Sequence, residues 1–123
     1  MKNLEQIVNL NYLKKLSGGD TQLVVDMIKL FITEITTEIQ LIEKGIIDND
    51  FTLIKSSIHS IKGIIHYVGL NKVIKPDLIK IEKLTINQWD IIVIDVLFLK
   101  IKLKKVIHEL NDWLLLSNSP KNY

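Results

Sequence analysis

The chain of 123 residues has no cysteine, no alanine and no arginine, and only two prolines and five glycines. Without cysteine there can be no disulfide framework, thiolate metal site or cysteine nucleophile. Without arginine, all sixteen cations are lysine, and the net charge of +2 is spread too evenly to announce a nucleic-acid partner. Long apolar runs are also missing. The longest, Ile91 to Leu99, is broken by Asp95 and falls short of the ~20 residues that span a bilayer. The amino terminus, MKNLEQIVNLNYLKK, carries charge where a secretory signal needs an unbroken apolar core, so no export signal is expected. A cytoplasmic protein with neither membrane nor nucleic acid as partner is the expectation.

What is there is a chain 47% hydrophobic and 24% charged, the balance of a globular domain. Its length favours a single domain over residues 1–123, with a core over about 9–116 and a polar tail, 117–123, expected to fray. Isoleucine and leucine supply most of the apolar content. The excess of lysine, isoleucine and asparagine reads partly as AT-rich coding bias, so a lysine gains weight only from its position.

Between the sparse glycines and prolines the pattern is helical. Asn9 or Asn11 could cap a short helix, Tyr12 to Leu16, which stops at Ser17-Gly18-Gly19. Asp20 stands as N-cap of a long helix in which Leu23, Met27, Leu30, Phe31, Ile35, Ile39 and Ile42 recur at helical spacing. Gly45 is placed to end it in a left-handed turn. Asp48-Asn49-Asp50 supplies a second N-cap, and the next helix runs from Phe51 to Val68 or Gly69. A shorter helix follows, with Pro76 in its first turn or at a kink. Asp90 would then cap a last helix from Ile91 towards Leu116. Strand is the rival for IIVIDVLFLKIKL, where β-branched residues are dense. Helix is preferred, because Val106, Ile107, Leu110 and Leu114 continue the spacing with no turn signal. Long helices joined by short links predict an all-α fold, an antiparallel up-and-down four-helix bundle with a short additional N-terminal helix.

The third helix carries the chemistry. At ~100° per residue, Ile54, Ile58, Ile61, Ile65 and Val68 share one side, and His59 points the opposite way. Lys55, Lys62, Gly63 and His66 lie within ~60° of His59 on the same projection. His59 is therefore the centre of a polar stripe. A neutral imidazole is a competent nucleophile near pH 7, its ordinary pKa being ~6.5. Lys62 could offset the charge of about −2 that a phosphoryl group brings. Gly63 costs ~0.5–1 kcal/mol relative to alanine inside a helix. It clears an approach for a partner or serves as a packing glycine.

Ile58-His59-Ser60-Ile61-Lys62-Gly63, followed by Gly69-Leu70, resembles the signature of histidine-containing phosphotransfer (HPt) domains of multistep two-component relays. The upstream landmarks agree: Tyr12-Leu13, Ser17-Gly18-Gly19-Asp20, Leu30-Phe31 and the acidic link at Asp48 to Asp50. The likeness covers roughly residues 9–84; the last helix matches only in length and amphipathicity. It implies His59 as phosphoacceptor, Lys62 as charge partner and Gly63 as the residue giving access. It also implies a phosphoryl carrier with no kinase activity of its own, and not an enzyme in that sense. The partners implied are receiver domains of response regulators or hybrid histidine kinases. No cofactor or metal is expected in this chain, with Mg²⁺ supplied by the receiver, and a monomer is expected. The alternative is a helical module that docks on or sequesters a receiver or kinase without phosphotransfer. Two departures stand out: His66, where the family has a small residue, and Pro76, which shortens the fourth helix. Phe31 or Ile35 is the expected apolar neighbour of the docking face.

The remaining candidates read blandly. His66 is followed at +3 by Gly69 and not by a lysine, which makes it a bystander or a partly buried polar residue and not a second phosphate acceptor. His108 lacks a partner spacing, no Glu-x-x-His or zincin pattern occurs, and Lys100, Lys102, Lys104 and Lys105 read as a solvated helix face. Trp89 and Trp113 read as core or capping aromatics of the last helix.

Overall fold

Two aspartates start the bundle. In the computed structural model, which describes residues 7–117, Asp20 accepts the Leu23 N–H at 3.1 Å and Asp50 accepts the Leu53 N–H at 2.9 Å. Each sits in extended backbone just before a helix, an arrangement worth about 1 kcal/mol at a helix start. The described residues contain no strand. They form α1 (Asn11–Leu16), α2 (Thr21–Ile47), α3 (Phe51–Ile64), α4 (Lys75–Glu82) and α5 (Trp89–Ser117), with 3-10 turns at Ile65–Val68 and Ile86–Gln88. The IIVIDVLFLKIKL segment is helical throughout, inside α5. The tail residues 118–123 and the first six residues lie outside the described part.

Helices α2 to α5 form the antiparallel four-helix bundle. Helix α2 packs against α3 and α5, and α4 packs against the same two, so α3 and α5 occupy opposite corners. Helix α1 lies across one end, against α2 and the turn after α3. The core is almost wholly aliphatic, and Ile28, Ile35, Ile42, Ile54, Ile58, Ile61, Ile92 and Leu103 have no solvent exposure at all. Each such side chain contributes about 1.5–3 kcal/mol relative to an exposed one. No helix among the described residues is long and apolar enough to cross a membrane.

Several expectations are corrected. Gly45 does not end α2; the helix continues to Ile47, and the left-handed residue is Asn49, at φ 52°. Gly45 is instead a close-approach point, since a Cβ there would lie 2.8 Å from Ile54 Cδ1. The core stripe of α2 is Val24, Ile28, Phe31, Ile35, Ile39 and Ile42, leaving Leu23 and Leu30 exposed. Asp90 is in the first turn of α5 rather than at its cap; the 3-10 turn that leads into α5 starts at a Thr85–Gln88 capping box, in which Gln88 Oε1 accepts the Thr85 N–H at 2.9 Å. Asn9 accepts the Asn11 N–H at 2.9 Å but sits one residue ahead of the cap position, held by Leu10. Of the two placements expected for Pro76, the first turn of α4 is the one found, just after Lys75.

The end of α3 matters for the site. The helix tightens into the 3-10 turn and stops at Gly69, φ 73°. The Asn9 N–H donates to the Val68 carbonyl at 2.8 Å, and a Cβ on Gly69 would meet Asn9 Cβ at 2.6 Å. The lead into α1 is thus seated on the end of α3.

Candidate functional site

Burial fixes the rotation of α3. Ile54, Ile58, Ile61, Ile65 and Val68 are all fully buried, and the His59 side chain on the opposite side is 80% exposed. One turn on, Gly63 has nothing within 4 Å of where a Cβ would sit. No intramolecular neighbour requires a glycine there, so the packing role has no support and the open approach does.

Lys62 lies beside His59 as expected, but it is not free. Its Nζ donates to Glu82 Oε1 at 2.7 Å, across to the last residue of α4. The other carboxylate oxygen of Glu82 is 3.8 Å from His59 Nδ1. The Lys62 ammonium hydrogen bond, aided by the charges of Lys62 and Lys55 and by that of His59 when protonated, holds the Glu82 carboxyl below the usual carboxylate range against an opposing push from burial. The resting cluster is therefore a lysine–carboxylate pair with an imidazole at its edge.

Lys55, one turn before His59, explains why Glu82 is there. Its ammonium donates to the carbonyls of Ile81, Glu82 and Leu84, at 3.2 Å and 2.8 Å for the first and last. They lie at and just past the end of α4, where a helix runs short of intrahelical donors; the Ile81 carbonyl also accepts the Leu84 N–H at 3.1 Å. The lysine stem passes over Phe51, with Nζ 5.3 Å from the ring centroid. One lysine of the polar stripe thus anchors α4 and a second meets the carboxylate that α4 delivers. Neither role was visible along α3 alone. The usable signal for Glu82 is register: a short helix antiparallel to α3 brings its end level with the middle of α3.

The surroundings differ from expectation in two further ways. Phe31 and Ile35 are core residues with 3% and 0% exposure, so they cannot flank a docking face. At the end of α3, the exposed Tyr12 and Tyr67 pack on the half-buried His66, whose ring centroid is 4.3 Å from Tyr67 and 5.9 Å from Tyr12. Elsewhere, His108 is exposed beside Asp112 at 3.4 Å. Lys100 and Lys102 are tied to Glu43 and Asp77 at 3.1 Å and 2.7 Å, and so are not simply solvated. Trp89 and Trp113 are half-buried against the core. Among the described residues, no group of three or more histidine, aspartate or glutamate side chains could hold a metal ion.

Comparison with protein-family models, curated proteins and solved structures finds no match to this chain.

Proposed function

We propose that this protein is a phosphoryl carrier of a cytoplasmic two-component relay, resembling HPt domains, with His59 as its acceptor. The observation that carries the reading is the exposed imidazole on an otherwise one-sided helix, with open space at Gly63 and an ammonium one turn away. With Nδ1 on the Glu82 side, the nucleophilic lone pair is assigned to Nε2. It attacks the phosphorus of a receiver aspartyl phosphate. A P–N bond forms, the P–O bond to the acyl oxygen breaks, and the receiver carboxylate leaves with the electron pair. A divalent cation, which the resemblance assigns to the receiver and not to this chain, would supply neutralising charge for the transferred oxygens. Lys62 exchanges Glu82 for the incoming phosphoryl oxygens, where its charge offsets the new negative charge. Return transfer to a second receiver reverses these steps.

The test incubates the full chain with a phosphorylated receiver and follows acid-labile, alkali-stable label. Transfer to the wild type and none to His59→Gln is expected. Label on His59→Gln sinks the assignment. A second reading, a module that docks without transfer, is favoured by one observation: Lys62 is already paired at 2.7 Å and must break that contact to meet a phosphoryl group. Receiver binding without label, unchanged in His59→Gln, is its signature.

A further inference from the structure

Helix α5 is apolar on two sides. Its core face is formed by Ile92, Val96, Leu99 and Leu103, all buried. On the opposite side Ile91, Ile94, Leu97, Phe98 and Ile101 fall within about 120° of one another at ~100° per residue, and all five are exposed, Phe98 to 65%. A helix apolar all round is normally covered all round. Together these five leave on the order of 500 Å² open, near the top of the range for the largest patch on an ordinary monomer, roughly 300–600 Å².

We propose that this face pairs with the same face of a second copy of the chain, the two α5 helices lying antiparallel about a two-fold axis midway between Leu97 and Phe98. That register sets Leu97 against the partner's Phe98 and Ile94 against the partner's Ile101. It also sets Asp90 against the partner's Lys105 at both ends, about 22 Å apart at 1.5 Å per residue. The charge match follows from the sequence and the symmetry together. Asp90 and Lys105 are exposed and make no ion pair among the described residues. Lys104, set against the partner's Ile91, is likewise exposed and without an ion pair among the described residues, whereas three other lysines near the face are engaged within the chain: Lys102 with Asp77, Lys80 with Asp95 at 3.3 Å, and Lys100 with Glu43. Pairing therefore strips no marginal lysine of a partner.

The area suffices. Complete cover of the five residues on both copies removes at most about 1,000 Å², to which Asp90, Lys104 and Lys105 add, and roughly 1,000–1,200 Å² is where specific interfaces begin. A self-complementary patch closes on itself as a dimer and does not propagate. Because α3 and α5 occupy opposite corners of the bundle, His59 stays open on both copies. A dimer replaces the monomer expected from the sequence and does not depend on the relay reading.

The experiment is sedimentation equilibrium of the full chain over a wide concentration range, with far-UV circular dichroism alongside. The wild type is expected to dimerise. Phe98→Glu is expected to weaken the dimer about 100-fold or more, as loss of a central aromatic anchor does, with helicity unchanged because Phe98 lies outside the core. Asp90→Lys and Lys105→Asp are each expected to weaken it several-fold, and the double reversal to restore it. A wild type that stays monomeric at millimolar concentration overturns the proposal. So does a dimer indifferent to Phe98→Glu, which would have to use another face. A double reversal no better than either single change overturns the antiparallel register.

Discussion

Helices α3 and α5 stand at opposite corners of the bundle and bury equally regular isoleucine and leucine faces, yet their outward faces are opposites. The outward side of α3 is polar, with His59, Lys62, Gly63 and the half-buried His66. That of α5 is apolar from Ile91 to Ile101. A polar face already stable in water suits a partner that arrives, exchanges a group and leaves. An apolar face costs free energy for as long as it is open, so it suits lasting cover. On the two proposals above, the surface is divided between a transient contact at α3 and a persistent one at α5.

The largest effects lie on the inward side of either helix. Ile58→Ala, at a fully buried site next to His59, is expected to destabilise the fold by about 2–5 kcal/mol. Ile94→Ala, half-exposed on the outward side of α5, is expected to change unfolding of the dilute protein by no more than about 0.5 kcal/mol. Urea denaturation at micromolar concentration measures both. If the two losses were alike, the outward face of α5 would be covered within the chain and the contrast would collapse.

Two glycines extend the comparison at intermediate size. A Cβ at Gly45 would lie 2.8 Å and 2.9 Å from Ile54 Cδ1 and Cγ1, inside the core, so Gly45→Ala is expected to cost about 1–3 kcal/mol of overpacking, partly offset by helix propensity. At Gly63 the same change meets open space, and Gly63→Ala is expected to stabilise α3 by about 0.5–1 kcal/mol. Thermal unfolding gives the signs. On the relay reading, Gly63→Ala also slows phosphoryl uptake while raising stability, a split that a purely structural glycine does not produce.

These particulars show what a sequence of this kind reveals. The helices and their starts were legible because Asp20 and Asp50 obey capping chemistry and the isoleucines keep one period. The rotation of α2 was ambiguous because Leu23 and Leu30 satisfy the same period one position off the core stripe. Gly45 looked like a stop because it precedes a polar link; the turn falls on Asn49, and the missing Cβ accommodates Ile54. The rotation of α3, and hence the exposure of His59, follows from its isoleucines. Glu82 was out of reach, because its place beside Lys62 depends on tertiary register and on Lys55 capping the end of α4. The second apolar face of α5 was hidden by its abundance: when leucine and isoleucine surround a helix, periodicity no longer separates core from surface.

The smallest effect tests the contact that sequence could not supply. Lys62 holds the Glu82 carboxyl below its usual range, so the folded protein binds that proton less readily than the unfolded chain. The contribution is then complete above the ordinary glutamate value of about 4.3 and disappears as pH falls through the lower folded-state value. A partly exposed pair of this kind is worth about 0.2–1 kcal/mol. Glu82→Gln is thus expected to unfold slightly earlier than the wild type at pH 7, with the gap closing below about pH 4, whereas the gap for Ile58→Ala persists because no proton is involved. Thermal unfolding of the three proteins from pH 7 to pH 3 separates the two behaviours. A Glu82→Gln gap that stays constant to pH 3 would mean that shape, and not charge, holds the end of α4 against the His59 face.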